Sequence, residues 1–159
     1  MRIVVVTGLG GSGKTNALRA LEDAAYYAID NLPVGLLEQL IDLFGGLASE
    51  TEKLALVVDA RTLAAVTDPH RGLSDAPRII DSLRAEGHDV SVVFLDASTD
   101  TLERRYSETR RRHPLTTDGS AHSGIQRERA LLEPLRQIAD TTIDTSQMSV
   151  HDLRRTIQH

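Results

Sequence analysis

The feature that most constrains the fold of this chain is a glycine-rich segment near its beginning. Residues 8–15 read GLGGSGKT, which has the Walker A spacing GxxxxGK[ST]. An apolar run at residues 3–6 precedes the segment, and apolar residues at helical spacing follow it. This order of strand, loop and helix predicts a phosphate-binding loop. Its residues are Gly8, Leu9, Gly10, Gly11, Ser12, Gly13, Lys14 and Thr15.

Two side chains of this loop have distinct predicted roles. Lys14 can reach the β- and γ-phosphates of a nucleotide, and the Thr15 hydroxyl can ligate Mg²⁺. The same glycines also fit the GxGxxG dinucleotide fingerprint, with Asp30 in the range of its ribose-binding acid. That fingerprint needs neither a lysine nor a hydroxyl after its last glycine. We therefore rank phosphate binding first, dinucleotide binding second and a plain connecting turn third.

Apolar runs alternate with helical patterns along the rest of the chain. We predict strands at residues 3–6, 26–30, 54–59, 90–95 and 141–144, with helices between them. Such alternation indicates an α/β protein with a five-stranded parallel sheet covered by helices on both faces, the three-layer P-loop NTPase fold of kinase-like type. We expect loops at residues 62–75 and 110–124, the second of them long and polar enough for a lid.

Composition narrows the class of protein. The 159 residues fit one domain spanning residues 1–159. The net charge of −5 gives no basic field for nucleic acid, and the lack of cysteine excludes disulfides and thiolate metal sites. No apolar run approaches the roughly 20 residues of a membrane span, so we expect a cytoplasmic protein without membrane contact.

Three acids close predicted strands and could carry chemistry. Asp59 has the Walker B form and is our choice for holding Mg²⁺, whereas Asp96, in the same setting, is interpreted mainly as structural. Asp30 could act as a base or orient water, or could simply start a turn. Arg61 could reach a phosphate or pair with Asp59.

Arginines cluster before and within the predicted lid. Their planar guanidinium groups suit phosphate contacts and can neutralise charge in a transition state. A solvated helix face is the alternative interpretation. The cluster comprises Arg104, Arg105, Arg110, Arg111 and Arg112, of which Arg104, Arg110 and Arg111 join Lys14 and Asp30 as predicted catalytic residues.

Several blocks together resemble the RapZ/YvcJ family of bacterial P-loop nucleotide-binding proteins over nearly the whole chain. They are GLGGSGKT at 8–15, ALRALED at 17–23, DNLP at 30–33, FLDA at 94–97, RRYSETRR at 104–111, HPL at 113–115 and IDTS at 143–146. A more distant likeness is to enzymes of the adenylate kinase type.

The resemblance implies binding of ATP and GTP and weak hydrolysis of both. It places ATP on residues 8–15 and GTP on a second motif, typically Asp-Val-Arg-Asn, which here reads Asp59-Ala60-Arg61-Thr62. Ala60 and Thr62 depart from the family pattern. Members normally continue into a second domain, which in some of them binds a small regulatory RNA and an amino sugar phosphate. The resemblance therefore implies that this chain is the amino-terminal domain and that RNA or a regulatory protein binds elsewhere.

Three functional hypotheses follow. The first is a regulatory ATPase/GTPase module with slow turnover, since no well-placed catalytic glutamine or glutamate is evident from the sequence. The second is a small-molecule kinase of adenylate-kinase-like type, and the third is a non-catalytic scaffold for docking or homo-oligomerisation.

Overall fold

The computed structural model of the protein describes residues 2–30, 39, 53–58, 69–109 and 121–158. Five strands and five helices are labelled within these ranges. The strands are β1 (Arg2–Gly8), β2 (Tyr27–Ile29), β3 (Lys53–Val58), β4 (Asp89–Asp96) and β5 (Thr141–Asp144). The helices are α1 (Lys14–Asp23), α2 (Pro69–Ala85), α3 (Thr99–Thr109), α4 (Ala121–Ile138) and α5 (Val150–Gln158).

The strands form one parallel sheet in the order β2-β3-β1-β4-β5. The first strand is central: Ile3 lies opposite Leu54 of β3 on one side and Val90 of β4 on the other. The predicted α/β fold with a five-stranded parallel sheet is thus confirmed. Because all strands run the same way, their carboxyl ends share one rim, where open α/β sheets bind ligands.

Helices cover both faces of the sheet, and side chains of β1 alternate between the two layers. Ile3 and Val5 pack with residues of α2 and α4, including Ile80 and Leu132. On the opposite face, Val4 and Val6 pack with residues of α1 and α5; the apolar cluster there also contains Leu18, Leu21 and Leu153. This two-sided burial explains why β1 is continuously apolar rather than alternating.

A smaller apolar cluster lies at the carboxyl rim. Leu9, at the start of the glycine-rich loop, packs with Ala97, Leu102 and Ile125, and all four are buried. Leu102 belongs to α3 and Ile125 to α4. The loop is therefore seated on these two helices as well as on the sheet.

Two predicted loops are partly wrong. Residues 69–75 belong to α2, because Pro69 occupies the first helical position, where the missing N–H costs nothing, and the helix continues through Gly72. Residues 121–124 belong to α4, where Gly124 is already buried. In both places the helix includes residues of weak helix propensity, glycine and proline at the start of α2 and glycine at the start of α4. The remaining parts of the two predicted loops lie outside the described residues.

Serine side chains cap the starts of two helices. The Ser98 hydroxyl accepts the Thr101 N–H at 3.2 Å at the start of α3. Ser149 and Asp152 form a reciprocal capping box at the start of α5, with both side-chain-to-amide distances at 3.1 Å. Over the described ranges, no helix combines the length and the apolar character needed to cross a membrane.

Candidate functional site

The glycine-rich loop connects β1 to α1 and lies so close to its neighbours that side chains are disfavoured at two positions. Gly8 has a φ of 148°, and a Cβ there would lie 2.2 Å from the Leu95 carbonyl oxygen. Gly13 has a φ of 108°, and its Cβ would lie 2.7 Å from Leu153 Cδ2. A side chain at Gly8 would displace the backbone of β4, whereas at Gly13 the Leu153 side chain could move aside and the positive φ is what favours glycine.

Lys14 is the first residue of α1, and its side chain folds back across the loop. The Nζ atom donates a hydrogen bond to the Gly8 carbonyl at 2.8 Å. The N-cap residue of the helix is Gly13, which has no side chain to cap the helix, and the first turn contains no acidic residue. An ammonium group and the positive end of a helix dipole therefore meet at one place without a local acid in that turn, as an anion-binding site requires.

Three side chains from other elements hold the middle of the loop. Glu128 of α4 accepts the Gly10 N–H at 2.9 Å. Arg105 of α3 donates to the Gly11 carbonyl at 2.6 Å, and Thr145, after β5, donates to the Ser12 carbonyl at 2.7 Å. Arg105 also donates to the Thr145 carbonyl at 2.8 Å. Three consecutive residues of the loop are thus fixed by α3, α4 and the segment after β5, which preorganises the loop.

Asp96 closes β4 and is held by an arginine of α4. Arg129 Nη1 lies 2.9 Å from Asp96 Oδ1, and Arg129 Nη2 donates to the Ala97 carbonyl at 2.8 Å. The same carboxylate oxygen accepts the Ala97 N–H at 2.8 Å. These contacts support the structural interpretation of Asp96, since its carboxylate joins α4 to the end of β4.

Asp144 lies opposite Asp96 on the same rim. Hydrogen bonds from the Ser146 hydroxyl and the Ser146 N–H, with a smaller contribution from the charge of Arg105, hold the pKa of Asp144 below its usual value. The Ser146 hydroxyl also accepts the Ser98 N–H at 2.8 Å. The segment after β5 is therefore tied to the segment after β4, so that both support the loop.

The predicted site residues fall into two groups. Residues 8–15 lie together at the carboxyl rim, with Arg105 in contact with the loop, whereas the neighbouring Arg104 is exposed on α3. Asp30 directly follows β2, the edge strand, and is exposed. The other predicted residues lie outside the described part of the chain: Asp59, Ala60, Arg61, Thr62, Arg110 and Arg111.

The structure adds two residues that the sequence did not suggest for the site. Glu128 interrupts the apolar stripe of α4 between Ile125 and Leu132, and an acid on a buried stripe is the signal that could have found it. Thr145 lies within the IDTS block at 143–146, but nothing in that block reveals that its hydroxyl reaches the loop.

Magnesium can be accommodated by the loop without a dedicated cluster of acids. Within the described ranges, no group of three or more His, Cys, Asp or Glu side chains could hold a metal ion. Mg²⁺ in P-loop proteins is held by a loop hydroxyl and a single Walker B acid, besides phosphate oxygens and water. Thr15, exposed in the first turn of α1, offers such a hydroxyl.

One protein family matches the whole chain. The family described as the RapZ-like N-terminal domain matches residues 1–159. A nucleotide-binding protein of Myxococcus xanthus is 52% identical over 157 residues, which cover 99% of this chain and 52% of the relative. A nucleotide-binding protein of Thermotoga sp. strain RQ2 is 43% identical, with 99% and 53% covered. The chain thus spans about half the length of these relatives.

Solved structures share the fold at low sequence identity. A gluconokinase from Sinorhizobium meliloti superposes with a TM-score of 0.60 and 19% identity over 98% of this chain and 88% of that protein. A shikimate kinase from Bacteroides thetaiotaomicron gives a TM-score of 0.59 and 14% identity over 98% and 94%. These similarities establish a kinase-like P-loop fold.

Proposed function

The chain belongs to the family of RapZ-like N-terminal domains, and from this premise we propose that residues 8–15 bind the phosphates of ATP and GTP. The observation that carries the proposal is the position of Lys14, whose Nζ folds over the loop onto the Gly8 carbonyl. A phosphate chain entering the loop would meet this ammonium group and the amino-terminal end of α1.

The proposal assigns a role to each predicted site residue around the loop. Lys14 neutralises the β- and γ-phosphates, and Thr15 with Asp59 would hold Mg²⁺, which when bound screens the phosphate charge. Arg61 and its neighbours Ala60 and Thr62 would form the second nucleotide motif. The lid arginines Arg104, Arg110 and Arg111 would close over the nucleotide.

We propose that hydrolysis is slow. Glu128, a carboxylate that contacts the loop, accepts a backbone N–H of the loop. That contact is an anchoring interaction rather than the orientation of an attacking water. Slow turnover suits a regulatory module, and in the longer relatives we propose that the nucleotide state controls an RNA-binding or protein-binding partner half, with homo-oligomerisation as a further means of control.

Titration calorimetry tests the binding proposal directly. ATP, GTP, ADP and GDP are titrated into the protein with and without Mg²⁺, and the same series is repeated with Lys14→Ala. We expect micromolar or tighter binding to the native chain and a loss of at least about tenfold in Lys14→Ala, as for removal of a charge-assisted contact. Unchanged affinity in the variant would contradict the proposal.

A kinase acting on a small molecule is the second candidate, and the exposed Asp30 at the carboxyl end of β2 favours it. That acid lies on the same rim as the loop and could accept a proton from a hydroxyl acceptor. Release of ADP that depends on an added metabolite, and that is lost in Asp30→Asn, would support this candidate. Absence of acceptor-dependent release over a broad panel of sugars and hydroxy acids would leave the regulatory module.

A further inference from the structure

Arg105 of α3 extends its guanidinium group onto the glycine-rich loop. The Nη1 atom donates to the Gly11 carbonyl at 2.6 Å and to the Thr145 hydroxyl at 3.3 Å, and the Nη2 atom donates to the Thr145 carbonyl at 2.8 Å. All three acceptors are oxygens of the protein itself. The guanidinium group therefore bridges the loop and the segment after β5, which differs from the phosphate contact that the sequence suggests for arginines of this cluster.

The bridge continues through the Thr145 hydroxyl, which is buried. This hydroxyl accepts a hydrogen bond from Arg105 and has two carbonyls within reach of its single proton, Ser12 at 2.7 Å and Asp96 at 3.2 Å. The guanidinium group occupies a lone pair of the hydroxyl oxygen and so directs the proton towards these carbonyls. Arg105 thus acts on the Gly11 carbonyl directly and on the Ser12 carbonyl through Thr145.

These two carbonyls fix the direction of two N–H groups of the loop. In a planar trans peptide the C=O and N–H bonds point in opposite directions, so a donor that holds the carbonyl also orients the N–H. The Gly11 carbonyl shares its peptide with the Ser12 N–H, which donates to the Leu9 carbonyl at 3.0 Å. The Ser12 carbonyl shares its peptide with the Gly13 N–H, which therefore points away from Thr145. Loops of this kind bind anions through the direction of their N–H groups.

The glycines of the loop make this external support important. Gly11 and Gly13 flank Ser12 and have φ values of 82° and 108°. Because glycine changes conformation at low steric cost, the two peptide groups beside Ser12 can turn over unless other groups hold them. A loop that holds the binding arrangement only one-tenth of the time binds its ligand about tenfold more weakly.

We propose that Arg105 is a positioning residue for nucleotide binding, which sets the affinity of the loop by fixing the two peptide groups beside Ser12. This inference rests on the proposed nucleotide binding and adds a residue of α3 that controls it from outside the loop. Because Arg105 acts on the loop and not on the phosphates, its contribution is the same for a nucleoside triphosphate and for the diphosphate.

The first test measures two dissociation constants in the native chain and in Arg105→Met, which keeps an unbranched side chain without the donors. MgATP and MgADP are titrated into both proteins. We expect both nucleotides to bind about tenfold more weakly to the variant, with the ratio of their dissociation constants within about twofold of the native value. A loss confined to MgATP would assign Arg105 to the γ-phosphate and overturn the inference, as would unchanged affinity for both nucleotides.

Two further variants separate the position of the donors from their charge. Arg105→Lys keeps the positive charge, which also acts on Asp144, but offers one nitrogen where arginine bonds from two. It should lose nearly as much affinity as Arg105→Met, and native affinity in the lysine variant would overturn the inference. Arg136→Met is the matched control, since it removes an exposed arginine from the last turn of α4 and should leave both dissociation constants within about twofold of the native values.

Hydrogen exchange without nucleotide follows the loop itself. In Arg105→Met we expect the Ser12 N–H to exchange at least about fivefold faster than in the native chain, while the N–H of Val5 in the central strand keeps its native rate. A merely structural contribution of Arg105 would accelerate both amides together. Equal acceleration, or no acceleration at Ser12, would overturn the positioning role.

A measurement on the native chain serves if the variants do not fold. The Nη nitrogens of Arg105 should give separate NMR signals with restricted rotation in the free protein, since both donate to protein oxygens. A single averaged signal would overturn the inference. If the native chain binds neither MgATP nor MgADP, the proposed function itself fails; if it binds both and the variants bind equally well, only the role of Arg105 is overturned.

Discussion

Gly8 is a residue whose replacement the fold tolerates poorly. A Cβ at this position would lie 2.2 Å from a backbone oxygen of Leu95, and β4 would have to move to relieve the contact. We expect Gly8→Ala to lower the free energy of unfolding by about 3 kcal/mol or more and to abolish nucleotide binding, since strain and displaced packing act together. Urea unfolding and calorimetry measure the two effects.

Gly87 provides the control for this prediction. It also has a positive φ, 95°, but no atom lies within 4 Å of a Cβ added there. Gly87→Ala therefore carries only the backbone cost of about 1–2 kcal/mol and leaves nucleotide affinity unchanged. Equal destabilisation by the two substitutions would mean that the contact with Leu95 is unimportant.

Substitutions of Thr145 test whether side chains hold the loop in addition to its own backbone. Its hydroxyl donates to the Ser12 carbonyl at 2.7 Å, and the residue is buried. Thr145→Val removes the donor at nearly constant volume and should cost about 1–2 kcal/mol, because the carbonyl stays buried without that hydrogen bond. Thr145→Ser restores the hydroxyl and should recover most of the loss in urea unfolding; a serine variant as unstable as the valine variant would assign the effect to packing.

Single residues also mark the limit of sequence reasoning about this site. The spacing of residues 8–15 predicts the loop because the pattern is local and each residue type has one physical reason. Glu128 is 118 residues from Gly10, so that their hydrogen bond depends on how α4 crosses the end of the sheet. No local pattern contains that information, although an acid within a buried stripe indicates that some buried partner exists.

Among the elements, α5 carries the most direct dependence on pH. Hydrogen bonds from the Ser149 N–H, from Arg155 and from the Ser149 hydroxyl hold the pKa of Asp152 below its usual value. A carboxyl whose folded-state pKa is lowered adds stability above its unfolded pKa of about 3.9 and loses that contribution as the pH falls through the folded value. We expect the stability difference between the native chain and Asp152→Ala to be present at pH 7, to shrink as the pH falls below about 4, and to vanish only below the lowered folded-state pKa, as followed by urea unfolding.

Ser149→Ala is the companion variant for this pH series. It removes the hydroxyl that accepts the Asp152 N–H at 3.1 Å, a group that does not titrate in this range. Most of its cost of about 1 kcal/mol should therefore persist at low pH, where that of Asp152→Ala does not, and only the part that acts through the pKa of Asp152 should be lost. If both costs fall in parallel, a global acid transition rather than the carboxylate of the cap is responsible.

At the scale of elements, sequence patterns predict which helices and strands exist better than where they begin. All five predicted strands are present, and β1, β3 and β4 are the most easily recognised because their apolar runs are long and contain β-branched residues. The sequence does not predict the start of α2, because Pro69 and Gly72 are residue types typical of loops, although proline is well tolerated at a first helical position. The start of α4 was missed because small and polar residues predict a loop until the packing around Gly124 is known.

At the scale of the whole molecule, the two ends of the sheet differ in their contacts: the carboxyl rim holds the glycine-rich loop and the amino rim does not. At the carboxyl rim, Glu128, Arg105 and Thr145 tie the loop to α3, α4 and the segment after β5. At the amino rim, Arg2 pairs with Asp89 at 2.8 Å, far from these contacts along the strands. A ligand in the loop should therefore stiffen one end of the molecule more than the other.

Hydrogen exchange measures this difference. On addition of MgATP, we expect slower exchange of locally opening amides at the carboxyl rim, such as Gly10 and Thr145, and little change in amides near Lys53 and Asp89 at the amino rim. The reason is that the Thr145 N–H bonds to the Asp96 carbonyl at 2.8 Å, while its side chain holds the loop, so that a fixed loop limits opening of both. Lys14→Ala with MgATP is the control and should show no protection at either rim. Equal protection at both rims would mean that the nucleotide stabilises the whole fold equally. The three side chains that hold the loop would then give the carboxyl rim no additional protection.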